Sequence, residues 1–559
     1  MTKRLALESL THRCGVICEA VGLPRAVGGQ FIEQALASCD SGGDAASDDR
    51  AEQAAIYLVS MAYLGRNATP EEAARISQLL ATESPAAIDL NLKAWPACQR
   101  IAASNLLIPT DPAVTYVDVS HTLFLRRNSG IQRVVRQLAA ALAASNHRHE
   151  FIRFDKRLCG YRPLTEAEWA RLLNWERFSS FDNKTMLDPQ QKSVFKRFLK
   201  KAGRSRLGRP VRRFLRVLRD RSREMRRRLK QGLFSRPQPA VCYFFWQGRL
   251  LLPEVITAAA QLDSLTATLA ATPLRSTMVL YDLLPITHPE CFVSTTTAGF
   301  VQYLTLIRQI DQVSCISDTV RNQLQPLLPA IPRTKPTVRV AAHLLAGDFR
   351  PTAAAEHTGP LSSPEPVVLC VGTIEPRKNQ TRILRAMVAA QQDGQRFRGV
   401  FIGNAGWLNG QFRHELQKAR RRGIQVELHE GISDEALAGF YRTASLTVYC
   451  SVAEGFGLPI VESVMAGVPC LTSNLGSMQE IAEQLGGCSL VNPYSTSGIA
   501  AALSRLLSDR EELDRLTEEA RRARWNSWSD YCEQLMTFVV VDAAAKQPLS
   551  ADQSLAHTA

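Results

Sequence analysis

The sequence predicts an α/β protein with two parallel-sheet domains behind a small helical N-terminal region, and three observations carry that reading. Its 559 residues exceed what one hydrophobic core usually supports, so two or three domains are expected. From Val367 to Leu471 short apolar runs alternate with helical stretches, the pattern of parallel strands joined by helices. Between Val114 and Leu142 a strand, a glycine loop and an amphipathic helix mark the opening of an earlier sheet of the same kind.

Composition narrows the class. Apolar residues make up 45% and charged residues 21%, the balance of a soluble globular chain. No apolar run approaches the ~20 residues of a membrane-spanning helix. Glu8, His12 and Arg13 interrupt the place where a signal peptide needs its apolar core, so secretion is not expected. The thirteen cysteines are scattered, and Cys370, Cys450 and Cys470 fall inside apolar runs, which points to buried free thiols in a reducing compartment. Cys14 and Cys18 have no second pair at zinc spacing and read as one helix face.

Charge is concentrated. Between Lys192 and Arg236 nineteen Lys or Arg face only Asp220 and Glu224, so this segment alone accounts for the net charge of +14. Val211, Phe214, Leu215, Leu218, Met225 and Leu229 recur there at helical spacing behind Pro210, the pattern of a basic amphipathic helix that can lie on anionic lipid. The alternative is a solvated insertion. Nucleic acid is disfavoured as a partner, because the chain shows neither a nucleic-acid module nor aromatic residues spaced for base stacking.

Taken in order, residues 1–110 read as an Ala-rich helical accessory region, with Ala51–Leu64 and Thr69–Ala81 its clearest helices. Thr69-Pro70-Glu71-Glu72 supplies a cap, a first-turn proline and early acids. A first sheet domain spans 113–350 and carries the basic insertion, 185–238. It opens with strand Val114–Ser120, Gly130 and helix Ile131–Leu142. Val241–Trp246 and Met278–Leu284 restart the strands, with Asp282 at a strand end, and Asp311–Asp318 leads into helix Thr319–Leu324. A Pro-, Ala- and Ser-rich linker ends near Pro366. The second domain, 366–525, begins with strand Val367–Val371 and runs through Gly372 and Thr373 to Arg377, Lys378 and a helix from Gln380. Two cations at a helix start oppose the helix dipole, a conflict that an anionic ligand resolves. Strands follow at Gly399–Ile402, Gln425–Leu428, Leu446–Tyr449 and Val468–Leu471. A helix within 526–542 closes the ordered chain, and 543–559 reads as a disordered tail.

The nine residues Glu454 to Glu462 concentrate the chemistry. Gly455 and Gly457 allow a sharp strand-to-helix turn, and Pro459 suits the first turn of the helix that Leu458 opens. The free N–H groups there, with the positive end of the helix dipole, can hold a phosphate. Glu462 stands about one turn up that helix and Glu454 on the loop before it. A ligand with a diphosphate at its centre could meet a carboxylate at each end.

This pattern resembles the Glu-x7-Glu signature of family 4 retaining glycosyltransferases, which have the two-domain GT-B fold of Rossmann-like sheets facing a cleft. Three further segments are similar to that family: Asn128–Arg136 to its N-terminal glycine loop, Tyr281–Glu290 to a segment that commonly begins His-Asp, and Gly372–Asn379 to Gly-Thr-x-x-x-Arg-Lys-Asn. The resemblance covers about 113–542 and is densest from 367 to 485. It implies that Glu462 holds the ribose of a nucleotide sugar and that Glu454 lies beside the transferred sugar. It implies also that the amides of Gly455, Phe456, Gly457 and Leu458 face sugar and phosphate, with Gly130, Gly372 and Thr373 in the donor site. Arg377 and Lys378 would neutralise the leaving diphosphate, and Asp282 would face the cleft as a further catalytic candidate. Tyr281 stands where the family has histidine; His288 is either a substitute for it or a loop residue, and the loop reading is preferred.

The activity implied is transfer, with retention, of a sugar from a nucleotide-diphosphate donor, GDP-mannose by family frequency, to a polysaccharide or lipid-linked oligosaccharide. A cytoplasmic enzyme, peripheral on the inner face of the cytoplasmic membrane, is expected. No Asp-x-Asp triplet occurs, so no required divalent metal is expected; the resemblance implies no required cofactor, the nucleotide sugar being a substrate. The rival readings are another GT-B enzyme, a sugar phosphorylase or nucleotide-sugar epimerase, and a non-catalytic membrane- or nucleic-acid-binding protein.

Overall fold

The computed structural model describes residues 2–39, 45–95, 105–107, 109, 111–125, 130–174, 241–335, 337–347 and 365–541. The basic segment 192–236, the linker up to residue 364, the tail 543–559 and the pair Asn128 and Ser129 lie outside the described residues. Contacts divide the chain into two compact units. One comprises Met1–Ser41, Ala55–Ile108 and Arg153–Phe244, and the other Gly42–Ala54, Pro109–Ile152 and Phe245–Ala559. The N-terminal helices thus share a unit with 153–244, a segment that the sequence assigns to the first sheet domain.

In the first unit the run from Ala55 to Leu64, the end of helix Ala45–Leu64, is buried throughout. That suits its apolar character on every side. Helix Pro70–Thr82 starts at a reciprocal cap, in which Thr69 accepts from the Glu72 amide and Glu72 accepts from the Thr69 amide. Such caps stabilise a helix by ~1 kcal/mol. Cys14 and Cys18 are buried free thiols on helix Thr2–Ala20, and burial pushes Cys14 up to about 12. Val241–Tyr243 does form a strand, but it pairs in parallel with Asn105–Leu107 in a two-stranded sheet rather than restarting the main one. The sequence reading missed the main-sheet strands His149–Asp155, Arg339–Ala342 and Arg249–Leu252, the last a short run just past Gly248, whose φ of 109° turns the chain there.

The second unit holds two parallel sheets. In one, strands His149–Asp155, Thr115–Asp118, Arg249–Leu252, Arg275–Leu280, Gln312–Cys315 and Arg339–Ala342 lie side by side in that order. Thr115–Asp118 is buried along its whole length, as a strand covered on both faces should be. Helix Gly130–Ala144 follows it and buries Val134, Val135, Leu138, Ala139 and Leu142.

The other sheet has six strands in the order Val426–His429, Arg398–Ile402, Val367–Val371, Leu446–Tyr449, Cys470–Ser473 and Cys488–Val491, all parallel. Side chains alternate across it: Val368 and Cys370 enter one core with Ile383, Met387 and Phe401, while Val367 and Leu369 enter another with Val400, Tyr441 and Val468. The direction of winding reverses between Val367–Val371 and Leu446–Tyr449. Loops at such a reversal splay apart at the carboxyl edge and leave a crevice for a ligand. Those loops are 372–379 and 450–457.

Helix Trp528–Val540 packs against helix Gly130–Ala144. The approach to it is anchored by the Trp525 indole N–H, which donates to the Leu345 carbonyl at 2.8 Å, and by the Gly347 amide, which donates to that of Asn526. Among the described residues no helix is long and apolar enough to cross a membrane.

Candidate active site

Strand Val367–Val371 ends in Gly372, at φ 146°, whose amide donates to the Ile402 carbonyl at 2.8 Å. Pro376–Lys378 form one tight turn, and Asn379, in the left-handed region at φ 62°, starts helix Gln380–Gln392. Asn tolerates that conformation better than most residues. Its side-chain amide donates to the carbonyls of Cys450 and Pro493, at 2.9 and 2.8 Å, and the Val452 amide donates to the Arg377 carbonyl. The turn is therefore stitched to the end of the neighbouring strand, where Glu454 stands.

Arg377, Lys378 and Glu454 come together as one cluster. Glu454 accepts from the Arg377 guanidinium, from the Tyr449 hydroxyl at 2.9 Å and from Lys378 Nζ at 2.7 Å; its side chain is 7% exposed. Lys378 also bonds to the Tyr449 hydroxyl and lies 4.8 Å from the centre of that ring. Arg377 Nε is 2.7 Å from Glu375 Oε1, close enough to pair though off the line of a hydrogen bond. Burial alone would raise the Glu454 carboxyl, but Arg377 and Lys378 bring it down to about 2. Burial lowers Lys378 despite Glu454 and pushes Glu375 and Asp282 up against the pull of Arg377. Glu454 is thus a fixed anion, and two half-buried cations stand beside it ready to exchange part of that pairing for another anion.

The turn after Glu454 is set by close approach. A Cβ on Gly455 would lie 1.9 Å from the Tyr281 carbonyl oxygen and 2.9 Å from Asp282 Cβ, so only glycine lets the two segments meet. The Gly455 carbonyl accepts from Ser317 Oγ at 2.8 Å. Gly457, at φ 135°, leads into helix Leu458–Met465, with Pro459 in its first turn. The Phe456 ring is buried against Trp525, so any donor contact at that position falls to its backbone. Glu462 is 4% exposed. One of its oxygens accepts from the Tyr441 hydroxyl at 3.0 Å and the other from Arg133 at 2.5 Å.

The remaining predicted residues are less convergent. Gly130 is exposed at the start of the helix that carries Arg133. Thr373 is exposed, and its carbonyl accepts from the Gln380 side chain. Asp282 accepts from the Leu284 amide and senses Arg377, Lys378 and Glu454 across the loop contact. Tyr281 is buried with its hydroxyl donating to the Pro253 carbonyl, which takes that position out of acid–base work. His288 pairs with the Thr287 hydroxyl. A cavity of about 230 Å³ lies beside the cluster, lined in part by Glu375, Asn379, Arg382, Arg385 and Leu408. Neither signature glutamate borders it.

Sequence reasoning missed Arg133, Tyr441 and Tyr449. Arg133 lies three residues after Gly130, on the first turn of its helix, and that spacing was a usable signal. Tyr449 was read as core because its strand is apolar. Also missed were Asp118 and Glu254, both buried: Glu254 accepts from the amides of His121 and Thr122 at 2.7 and 2.6 Å, and Asp118 accepts from Ser120 and Gln261. Burial and the neighbouring Asp118 push Glu254 up to about 8. Nothing in the sequence around them distinguishes these carboxylates from surface acids.

Residues 355–523 match the family described as glycosyl transferases group 1. A serotype-specific mannosyltransferase, WbdA, from Escherichia coli is 25% identical over 311 residues, 53% of this chain and 37% of that protein. The O-antigen chain mannosyltransferase B of the same organism is 33% identical over 143 residues, 25% of this chain and 36% of that one. The chain therefore spans little more than a third of the length of these relatives. Among solved structures, sucrose-phosphate synthase from Thermosynechococcus elongatus aligns with a TM-score of 0.47 at 16% identity, covering 76% of this chain and 97% of that one.

Proposed function

We propose that this chain, which resembles the family 4 GT-B enzymes and carries a group 1 glycosyl transferase segment over residues 355–523, moves a sugar from a nucleotide-diphosphate donor to a glycan acceptor. One observation carries the reading: the turn from Glu454 to Glu462 presents a carboxylate held by two cations at one end and a buried carboxylate at the other, at the reversal point of a parallel sheet. In this reading Glu462 takes the ribose, Arg377 and Lys378 take the diphosphate, and Glu454 orients the reacting sugar. The bond from the sugar's anomeric carbon to the diphosphate oxygen breaks, and a new bond forms to an acceptor hydroxyl on the same face. The departing phosphate accepts that hydroxyl's proton. Two cations beside the leaving group supply charge stabilisation of the kind a metal supplies elsewhere, so we propose that no divalent ion is required. The similarity to bacterial mannosyltransferases supports mannose as the transferred sugar, and we infer GDP-mannose as donor and a polysaccharide or lipid-linked oligosaccharide as acceptor.

A panel of nucleotide sugars, scored for hydrolysis and binding, tests this reading. Glu462→Ala should weaken donor binding, and Glu454→Ala should mainly lower turnover. Wild-type behaviour in both variants overturns the site assignment.

A cytoplasmic place at an anionic membrane, through residues 192–236, belongs to the same proposal. Its motive is the confined charge, since each basic residue near such a surface contributes roughly 1 kcal/mol. Deleting the segment should abolish sedimentation with anionic liposomes and leave donor hydrolysis intact. Sedimentation that survives the deletion removes the membrane from the account.

A further inference from the structure

The Arg133–Glu462 pair joins the helix after the glycine loop of one sheet to the helix after Gly457 of the other. Arg133 is one-third exposed, whereas Glu462 is almost wholly enclosed, so the cation reaches in to the anion. Tyr441, whose hydroxyl holds the other Glu462 oxygen, sits on helix Asp434–Thr443, and Asp434 at the start of that helix also draws on Arg133. Three elements thus fix one carboxylate. An ionised carboxylate has about four lone-pair positions. Arg133 takes one on Oε1 and Tyr441 one on Oε2, which leaves each oxygen one more.

We propose that Arg133 is a positioning residue that presents the two free lone pairs of Glu462 to a vicinal diol, the 2′- and 3′-hydroxyls of the donor ribose. The inference rests on the donor-site reading above and adds to it the group that gives Glu462 its aim. A carboxylate gripped on one oxygen alone can rotate about its last bond, and then at most one ribose hydroxyl finds an acceptor in line. A buried carboxylate that loses its cation is also left with an uncompensated charge, which is strongly unfavourable. Lysine at 133 would keep the charge but not the planar fork that sets direction.

Calorimetric binding of GDP and UDP, each with its 2′-deoxy and 3′-deoxy counterpart, to the full chain tests this. In the wild type, for whichever nucleotide binds, either deoxy analogue should bind about tenfold more weakly, the effect of one hydrogen bond to a charged group. In Arg133→Ala the ribonucleotide should bind about tenfold more weakly and the deoxy penalty should fall below about threefold, with Arg133→Lys between. A structural role alone would lower all affinities together and leave the penalty intact. Should Arg133→Ala keep the full penalty while Glu462→Ala loses it, the proposal is wrong and the donor-site reading stands. Should the wild type bind neither nucleotide, or show no penalty that Glu462→Ala removes, the donor-site reading fails and this proposal with it.

Discussion

Replacing Arg377 and Lys378 together with alanine should lower kcat by roughly a thousandfold while the donor KM rises far less, on the scale that removing charge-stabilising groups costs other enzymes. Negative charge on the diphosphate grows as the sugar leaves, so cations placed beside it act more strongly on the transition state than on the bound donor. The structure adds a second reason for a large effect. Both cations hold Glu454, and without them burial alone would push its enclosed carboxyl up, weakening the anion that the proposed reading sets beside the sugar. Arg377→Lys keeps a charge at the site and should retain more activity than Arg377→Ala, which separates lost charge from misfolding. Steady-state kinetics with the best donor of the panel decides the matter. Full activity in the double variant that disappears on adding EDTA would show that a metal does this work.

Gly455→Ala should lower activity by roughly a hundredfold through a different route. Its Cβ would stand 1.9 Å from the Tyr281 carbonyl oxygen, a distance that no real methyl group tolerates, so the loop bearing Glu454 must move away from the turn bearing Asp282. Overpacking of this kind typically costs 1–3 kcal/mol of stability. A shift of about 1 Å in a catalytic loop is enough to lose roughly a hundredfold in rate. Gly299→Ala is the control, since nothing lies within 4 Å of its added methyl and it sits on helix Ser294–Leu304. Thermal unfolding and donor turnover, measured side by side, should show both quantities falling for Gly455→Ala and neither for Gly299→Ala. A fully active Gly455→Ala would mean that the contact with Tyr281 is not needed for chemistry.

Much of the second sheet was legible because its strands are short apolar runs between glycines, with little to confuse them with. Val367–Val371 and Leu446–Tyr449 fell where periodicity put them, and the turn at Gly457 followed from its own residues. The first sheet was harder. Val241–Trp246 is the most apolar run in its region, yet it pairs outside the main sheet, and the shorter Arg249–Leu252 takes the central place. Hydrophobicity reports that a strand is buried but not which partner buries it. The same limit applies to the site. Glu454, Arg377 and Lys378 could be chosen as chemistry, but that they bind one another depends on two loops becoming neighbours at the winding reversal. Arg133 pairs with a residue more than three hundred positions away, and no local pattern contains that fact.

The packing of helix Trp528–Val540 on helix Gly130–Ala144 also has a meaning in time. A ribosome delivers the chain from its N-terminus at roughly 5–20 residues per second, so helix Trp528–Val540 follows its partner by on the order of 20–80 s. Until then the face of helix Gly130–Ala144 that it will cover stands open, although the strands of that sheet have long been made. Completion of the first sheet domain therefore waits on the delivery of helix Trp528–Val540, and a nascent chain stalled within the second sheet would leave that face of helix Gly130–Ala144 open to any protein nearby.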